Sequence, residues 1–362
     1  MTKHNSVLIA LSGGVDSSVA AYLLQKKGFQ VVGVYFHLIG GRATAKHPYN
    51  MCLLPDNKQA VKEVARKLNI PLLEIEYREE FCRIIVLDFI EKYKKGLTPN
   101  PCIFCNEKIK FKLLHDFSLT ESFSYISTGH YVRIEKDEKE NRYLLKRGLD
   151  ASKDQSYFLY RLKEKVISKC LFPLGIFNKE DTRKFARKIG LAALSSKESQ
   201  EICFIPDNNY RQLIADTVGT NDEPGYFLDS AGNILGRHKG ISNYTIGQRR
   251  KTGLSLNSRK YVAEIIPEDN AIIIGDEADL YQREFNVTDV SFISSEPISQ
   301  PTPLLVQIRY NSLPAPAMVY PLDGAKIKIV FYEPQRAITP GQSAVFYQQD
   351  IVLGGGIIER AK

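Results

Sequence analysis

Three short stretches hold residue types able to do chemistry. The first is "LSGGVDSS", from Leu11 to Ser18. It follows the apolar run "SVLIA" and precedes "VAAYLL", so it reads as strand, tight loop and helix. Gly13 and Gly14 can take backbone angles closed to other residues. Ser12, Ser17 and Ser18 supply hydroxyls, and the helix start supplies N–H groups without intrahelical partners. Such a loop suits an anion. Asp16 repels phosphate unless it caps the helix or helps hold magnesium, and the combination favours pyrophosphate with a divalent ion. The spacing is neither G-x-x-x-x-G-K-[ST] nor G-x-G-x-x-G. An ordinary glycine–serine turn with an aspartate cap is the plainer alternative.

The second stretch, "TPNPCIFCNEKIKF", sets Cys102 and Cys105 in a CxxC pair ahead of a predicted helix, "NEKIKFKLLHDF". A cysteine near a helix start, with Lys108 and Lys110 close in sequence, is expected to favour its thiolate. Alone, the pair fits half a zinc site, a dithiol redox site or two inert thiols. No second CxxC or close Cys/His pair follows. The third stretch, "KESQEICFIPD", places Cys203 between apolar residues and before Pro206. Its plain reading is a buried strand cysteine, as for Cys82 and Cys170. Spacing does not join Cys203 to Cys105.

These residues need a frame. Residues 6–11 and 30–36 read as short buried strands, with a helix from Ser17 to Lys27 between them. "NKQAVKEVARKLNIP" puts Ala60, Val61, Val64, Ala65 and Leu68 on one helical face, and "PLLEIEY" reads as the next strand. The βαβα rhythm predicts an α/β fold: a mostly parallel sheet with helices on both faces. "SYISTGHYV" adds a strand ending in a glycine turn at Gly129. "NKEDTRKFARKIG" is expected to be a helix with Asn178 as N-cap and Gly190 at its end. After about residue 205 the pattern changes to short β-type runs between turn signals, with no long helical pattern after Asp216. One or two small antiparallel, barrel-like domains are expected there. The division is an N-terminal domain over 1–204, a small central β-rich domain over 205–278 and a β-barrel-like domain over 279–362.

Composition bounds the partners. The chain has 362 residues, 43% of them hydrophobic, enough for two or three domains. With 49 basic and 41 acidic residues the net charge is +8, which suits a polyanion without identifying one. No apolar leader precedes a small-residue cleavage site, and no stretch of about 18 apolar residues occurs. A cytoplasmic chain without a membrane span is expected. Six cysteines do not make a disulfide scaffold.

The loop resembles the pyrophosphate loop of the adenine-nucleotide alpha-hydrolase group of ATP pyrophosphatases. Taken with "TPNPCIFCNEKIKF", "STGHYVR", "LDASKDQSYFL", "SQEICFIPD", "GYFLDSAGNILGRHKG", "YTIGQRR", "QIRYNSLPA" and "RAITPGQSAVFY", the chain resembles the tRNA-specific 2-thiouridylase family over nearly its whole length. The resemblance implies an ATP-dependent enzyme that adenylates the C2 oxygen of the wobble uridine and replaces it with sulfur. It implies ATP and Mg2+, tRNA substrates for Glu, Gln and Lys, and a persulfide donor, either a relay protein or a desulfurase. A monomer suffices for a clamp on tRNA.

The resemblance also implies roles. Ala10, Leu11, Ser12, Gly13, Gly14, Val15, Asp16 and Ser17 bind ATP, with Phe36 and Gly129 near the nucleotide. Cys105 is the catalytic cysteine and Cys203 the persulfide carrier, leaving a Cys105–Cys203 disulfide that a reductant resets. Asn100, Pro101, Cys102 and His130 lie near the target base. Lys153, Asp154 and Gln155 touch the tRNA close to it, and Arg309, Tyr310 and Gln342 contact it from the C-terminal domain. Lys and Arg neutralise phosphate, while Tyr and His can stack on a flipped base.

The chain departs from the family pattern in places. Cys102 stands where many relatives have Asp, Phe36 where they often have Met, and Lys58 where an Asp is common. The stretch after Phe36 lacks the usual tryptophan and acidic cluster, and "LSLNSRKYV" is short. The rival readings are another ATP-pyrophosphatase enzyme, a diverged tRNA binder without sulfur transfer, and a dithiol redox module. Loss of Asp16, Cys105 or Cys203 would favour the binder, and all three are present.

Overall fold

A computed structural model describes residues 3–39, 57–191, 202–205, 209–218, 223–255, 258–294 and 296–360. The chain divides into two compact units. One comprises residues 1–85, 102–208 and 350–353; the other comprises 86–101, 209–349 and 354–362.

The first unit is built on strands β1 (Lys3–Ala10), β2 (Gln30–His37), β3 (Leu72–Glu76) and β4 (Phe123–Ser127). A hairpin, β5 (Val132–Asp137) and β6 (Arg142–Arg147), and the short β7 (Cys170–Leu171) follow. The main sheet runs β3-β2-β1-β4-β7, every pair parallel. Strand order therefore reverses at β1, whose carboxyl end is where such sheets place ligands.

Helix α1 (Val15–Lys26) crosses from β1 to β2, and α2 (Lys58–Leu68) leads into β3. α1 buries small residues, Ser17, Ser18, Ala20 and Ala21, so its axis lies close to the sheet. α2 turns Val61, Val64, Ala65 and Leu68 inward and ends at Asn69 in the left-handed region (φ 51°). Both pack on a core holding Val7, Ile9, Val19, Leu24 and Val61. Each fully buried side chain of this kind contributes about 1.5–3 kcal/mol.

Three local readings need correction. The β5–β6 hairpin stands in the segment after "STGHYV" that carried no strand expectation. Cys82 is half-buried in a π-type turn, Cys82–Val86, not in a strand. Cys203 is exposed in a turn closed by the Ile205 N–H donating to Ile202 O at 2.8 Å, not buried in a strand. Cys170 is buried in β7 as expected.

The second unit contains the helices Leu87–Lys94 and Tyr210–Val218. Tyr93 and Tyr210 stack with centroids 4.4 Å apart. The latter helix was not anticipated in a region read as β-type. Strands β8 (Gly225–Leu228), β9 (Ile234–His238), β10 (Tyr261–Ile266) and β11 (Ala271–Gly275) form a sheet ordered β10-β11-β8-β9 around Phe227, Val262, Ile265 and Ile272.

Six further strands follow: β12 (Tyr281–Phe292), β13 (Thr302–Gln307), β14 (Ala315–Leu322), β15 (Lys326–Arg336), β16 (Ser343–Gln348) and β17 (Ile351–Ile358). Their order is β12-β15-β14-β13-β16-β17, and β17 returns to pair with β12, which closes a barrel and removes its edges. The expected fold class, a parallel α/β domain followed by a small β domain and a barrel, is what the chain forms. Among the described residues, no helix is long and apolar enough to cross a membrane.

Candidate active site

The phosphate loop joins β1 to α1. Gly13 has φ +79°, a conformation that favours glycine. The hydroxyls shape the loop internally. Ser12 N–H donates to Ser17 Oγ at 3.2 Å, Gly14 N–H to Ser12 Oγ at 3.3 Å, and Ser18 Oγ to Gly14 O at 2.8 Å. That leaves the N–H groups of Val15, Asp16 and Ser17 at the head of a 12-residue helix without acceptors among the described residues. Gly129, at the end of β4, presses on this turn, and a Cβ there would lie 2.6 Å from Ser17 N. The arrangement fits a phosphate chain: backbone donors in front, closely approached backbone behind.

Asp16 does not cap the helix. The N-cap is Gly14, with no side-chain cap bond. Instead Lys179 Nζ donates to both Asp16 carboxylate oxygens at 2.7 and 2.8 Å, and Tyr131 Oη donates to one of them at 2.8 Å. Tyr131 also reaches Thr182 Oγ1 at 2.9 Å. Burial, then the Asp16 charge, pushes the Tyr131 hydroxyl well above its ordinary pKa, so it remains a donor. Lys179 and Thr182 belong to α3 (Lys179–Lys188), capped by Asn178, whose side chain accepts from Asp181 N–H at 2.8 Å. Sequence reasoning found the cap and missed Lys179. It lies 163 residues from Asp16, and no local signal points across that gap.

Phe36 is buried near the end of β2, paired in register with Ile75. Lys58, at the first position of α2, pairs with Glu74 at 2.8 Å. His37 and Lys62 also bond to Glu74, and the Lys58 bond is the largest cause lowering the Glu74 carboxyl to about 2. The divergent residues 40–56, including Cys52, lie outside the described residues.

Cys102 and Cys105 share one helical turn, Pro101–Cys105, which runs through a π-type turn, Asn106–Lys110, into a helix over Phe111–Thr120. In an α-helix residue 110 would stand about 140° around the axis from residue 105. A π-type turn closes i to i+5 and brings Lys110 back towards the Cys105 face. Lys110 interacts electrostatically with Cys105, Cys203 and Cys102, and also with His130. Burial opposes the Lys110 charge, but the three sulfurs outweigh it and hold its pKa above the ordinary value.

The expected thiolate at Cys105 is corrected. Burial raises the Cys105 thiol, and Lys110 only partly offsets it. Burial pushes the Cys102 thiol up to about 11, and the Cys203 thiol is raised as well, with the neighbouring Cys105 and Cys102 adding repulsion. Lys108 does not face the thiols. Its ammonium lies 5.0 Å from the Phe104 ring centroid, with Arg161 5.1 Å away from that ring and bonded to Glu107 at 2.8 Å. The first unit thus brings Cys102, Cys105, Cys203, Lys110 and His130 into one electrostatic neighbourhood. His130 is half-buried, with Nδ1 2.6 Å from Thr128 Oγ1 and its ring 5.8 Å from that of Phe111. Burial, then Lys110, lowers it to about 3, so it is neutral and suited to stacking rather than to phosphate.

The residues expected to meet tRNA are partly engaged within the protein. Asp154 is buried and accepts from Arg147 Nε (2.9 Å), Gly148 N–H (2.9 Å), Ser156 N–H (3.1 Å) and Ser156 Oγ (2.9 Å), so it shapes the loop that carries half-buried Lys153. Gln155 Oε1 accepts from Tyr131 N–H at 3.0 Å. In the second unit, Arg309 bonds Ala337 O and Thr339 Oγ1, and Tyr310 O accepts from Gln307 Nε2 at 3.0 Å. Gln342 Nε2 donates to Thr98 O at 2.7 Å, which anchors the loop containing Asn100 and Pro101.

Sheet, loop and thiols define an α/β protein with an anion-suited loop between β1 and α1 and a cysteine cluster in the same unit. The sequence pattern described as "tRNA methyl transferase HUP domain" matches residues 5–207, that of the corresponding PRC-barrel domain residues 211–276, and "Aminomethyltransferase beta-barrel domain" residues 282–358. The chain is 46% identical over 361 residues to "tRNA-specific 2-thiouridylase MnmA 1" of Caldanaerobacter subterraneus subsp. tengcongensis, covering 99% of each. It is 42% identical to "tRNA-specific 2-thiouridylase MnmA" of Clostridioides difficile, covering all of each chain (100%). The chain belongs to the tRNA-specific 2-thiouridylase family.

Proposed function

We infer that this protein is a tRNA 2-thiouridylase, a sulfurtransferase that acts on the wobble uridine at the expense of ATP. Full-length likeness to the relatives supports the activity. The observation that carries the mechanism is the clustering of Cys105 and Cys203 around Lys110 in the unit that also holds the phosphate loop.

The chemistry runs in two displacements. The uridine C2 oxygen attacks the α-phosphorus of ATP; a C2–O–P bond forms and pyrophosphate leaves with the bond electrons. The open N–H groups of Val15, Asp16 and Ser17 suit the departing pyrophosphate. Adenylation makes that oxygen part of AMP, a good leaving group. The terminal sulfur of a Cys203 persulfide then attacks C2, and AMP departs. Cys105 attacks the Cys203 sulfur, the S–S bond breaks, and its electrons go to the sulfur now on C2. A Cys105–Cys203 disulfide remains for an external dithiol to reduce. Alternatively, Cys105 attacks first and releases hydrosulfide, with the same final disulfide.

Mg2+ accompanies ATP in this reading. Asp16 is the loop's only carboxylate, and no cluster of three or more ligating side chains stands among the described residues. The tRNA substrates are those for Glu, Gln and Lys, the compartment is the cytoplasm, and the monomer is the working form. The matched spans 5–207, 211–276 and 282–358 support the division at residues 204 and 278.

The test combines purified protein, unmodified tRNA, Mg-ATP and a persulfide source. Digested tRNA is examined by mass spectrometry for 2-thiouridine, alongside AMP release. Both products are expected. Cys203→Ser is expected to abolish thiouridine while retaining tRNA binding. Parallel loss of binding would sink the carrier assignment.

A further inference from the structure

The phosphate loop has no cation of its own. From Ala10 to Ser18 the only charged residue is Asp16. Phosphate loops of the G-x-x-x-x-G-K-[ST] kind carry a lysine that serves the β- and γ-phosphates. Here the only cation hydrogen-bonded to the loop, among the described residues, is Lys179. It arrives from the first position of α3, and its side chain is 15% exposed. An ammonium has three donors. Two go to the Asp16 oxygens; the third has no acceptor among the described residues. Tyr131, whose ring centroid lies 5.7 Å from Nζ, holds the same carboxylate from another side, so Asp16 does not depend on Lys179 alone.

We propose that Lys179 is the cation of this phosphate loop: the ammonium that pairs with Asp16 also binds the terminal phosphates of ATP and the pyrophosphate that leaves. The inference rests on the ATP-dependent reading above. Negative charge grows on the β-phosphate as the α–β bond breaks, and a fixed cation there stabilises the departing group. Charge-assisted bonds of this kind are the strong ones.

The test measures binding of ATP, inorganic pyrophosphate and AMP by calorimetry, in divalent-free buffer and with magnesium. The full-length wild type is compared with Lys179→Met, Lys179→Arg and Asp16→Asn. AMP lacks the terminal phosphates and serves as the control. Lys179→Met is expected to weaken ATP and pyrophosphate by about 10- to 100-fold, a loss of one strong charge-assisted contact. AMP affinity should change by less than about twofold, and Lys179→Arg should recover most of the loss. Asp16→Asn keeps the ammonium and removes a repelling carboxylate, so pyrophosphate binding without magnesium should hold or tighten. If Lys179 only positions Asp16, Lys179→Met and Asp16→Asn lose pyrophosphate together, which overturns the proposal. Equal loss of ATP and AMP in Lys179→Met also overturns it. Should Lys179→Met fail to fold, the Arg and Asn variants decide by the same criteria. If the wild type itself binds neither ATP nor pyrophosphate, the ATP-dependent reading falls, and this inference with it.

Discussion

Gly129 lies so close to Ser17 that a Cβ on it would sit 2.6 Å from the Ser17 nitrogen and 2.8 Å from the Asp16 carbonyl carbon. The end of β4 and the first turn of α1 are in backbone contact there, and only hydrogen fits between them. Because the obstructing atoms are backbone, they cannot swing away as a side chain could. Gly129→Ala is expected to force the strand and helix apart and cost about 1–3 kcal/mol of stability. ATP affinity should fall at least tenfold. Chemical denaturation and nucleotide titration check both effects. A variant of wild-type stability and affinity would show that the turn can yield.

Lys110 sets how readily the clustered thiols ionise. Burial raises the Cys105 thiol, the Cys203 thiol is raised as well, and Lys110 opposes the rise in both. Lys110→Met removes that opposition, so both pKa values should climb further. The alkaline rise in the thiolation rate should move to higher pH, with activity at neutral pH falling about tenfold for each unit of climb. Alkylation by iodoacetamide should slow alike, and Lys110→Arg should preserve the wild-type profile. An unmoved profile in Lys110→Met would remove Lys110 from sulfur chemistry.

The sequence made the loop, α1, α2, the Asn178 cap and the β-rich second half legible, because each is written in neighbouring residues. Hydrophobic period, glycine pairs and cap residues are local signals. The Asp16–Lys179 pair is not local, since 163 residues separate its partners. The thiolate expectation failed for a related reason. It counted Lys108 and Lys110 by nearness in sequence, whereas burial sets the larger effect and Lys108 turns onto Phe104. The β5–β6 hairpin escaped because "EKDEKENR" at its tip is charged and lacks apolar alternation.

His130 gives stability a pH signature. Its pKa falls from an ordinary 6.5 to about 3, chiefly through burial. The unfolded chain therefore binds a proton between those values that the folded chain refuses. The sign follows directly: this contribution is full above about pH 6.5 and is lost as pH falls towards 3. His130→Gln should flatten that part of the stability–pH curve in urea titrations. Identical slopes in both proteins would place the acid sensitivity elsewhere.

Cys102 shares the turn of Cys105, yet its thiol is pushed up to about 11, chiefly by burial. Cys102→Ser is expected to keep at least about half of wild-type thiolation, whereas Cys105→Ser should lose nearly all of it. A dead Cys102→Ser enzyme, folded and able to bind tRNA, would place the second thiol of the CxxC within the mechanism.

The small β domain carries two arginines that no carboxylate neutralises among the described residues. A cavity of about 360 Å3 is lined by Arg249, Arg259 and Lys260, with Thr252 and Ser258 hydroxyls beside them and Leu254 and Ile274 completing the wall. Lys260 pairs with Asp276 at 2.9 Å. The side chains of Arg249 and Arg259, both exposed, have no carboxylate partner among the described residues. Two cations with no carboxylate partner among the described residues are available to phosphates of a polyanion, and each phosphate neutralised releases counterions. The double change Arg249→Gln and Arg259→Gln should weaken tRNA binding at least tenfold near physiological salt. It should also reduce the slope of log affinity against log salt by about two. ATP affinity, measured on the same preparation, should not move. If tRNA affinity and slope both match wild type, these arginines form a solvated face and the polyanion lies elsewhere.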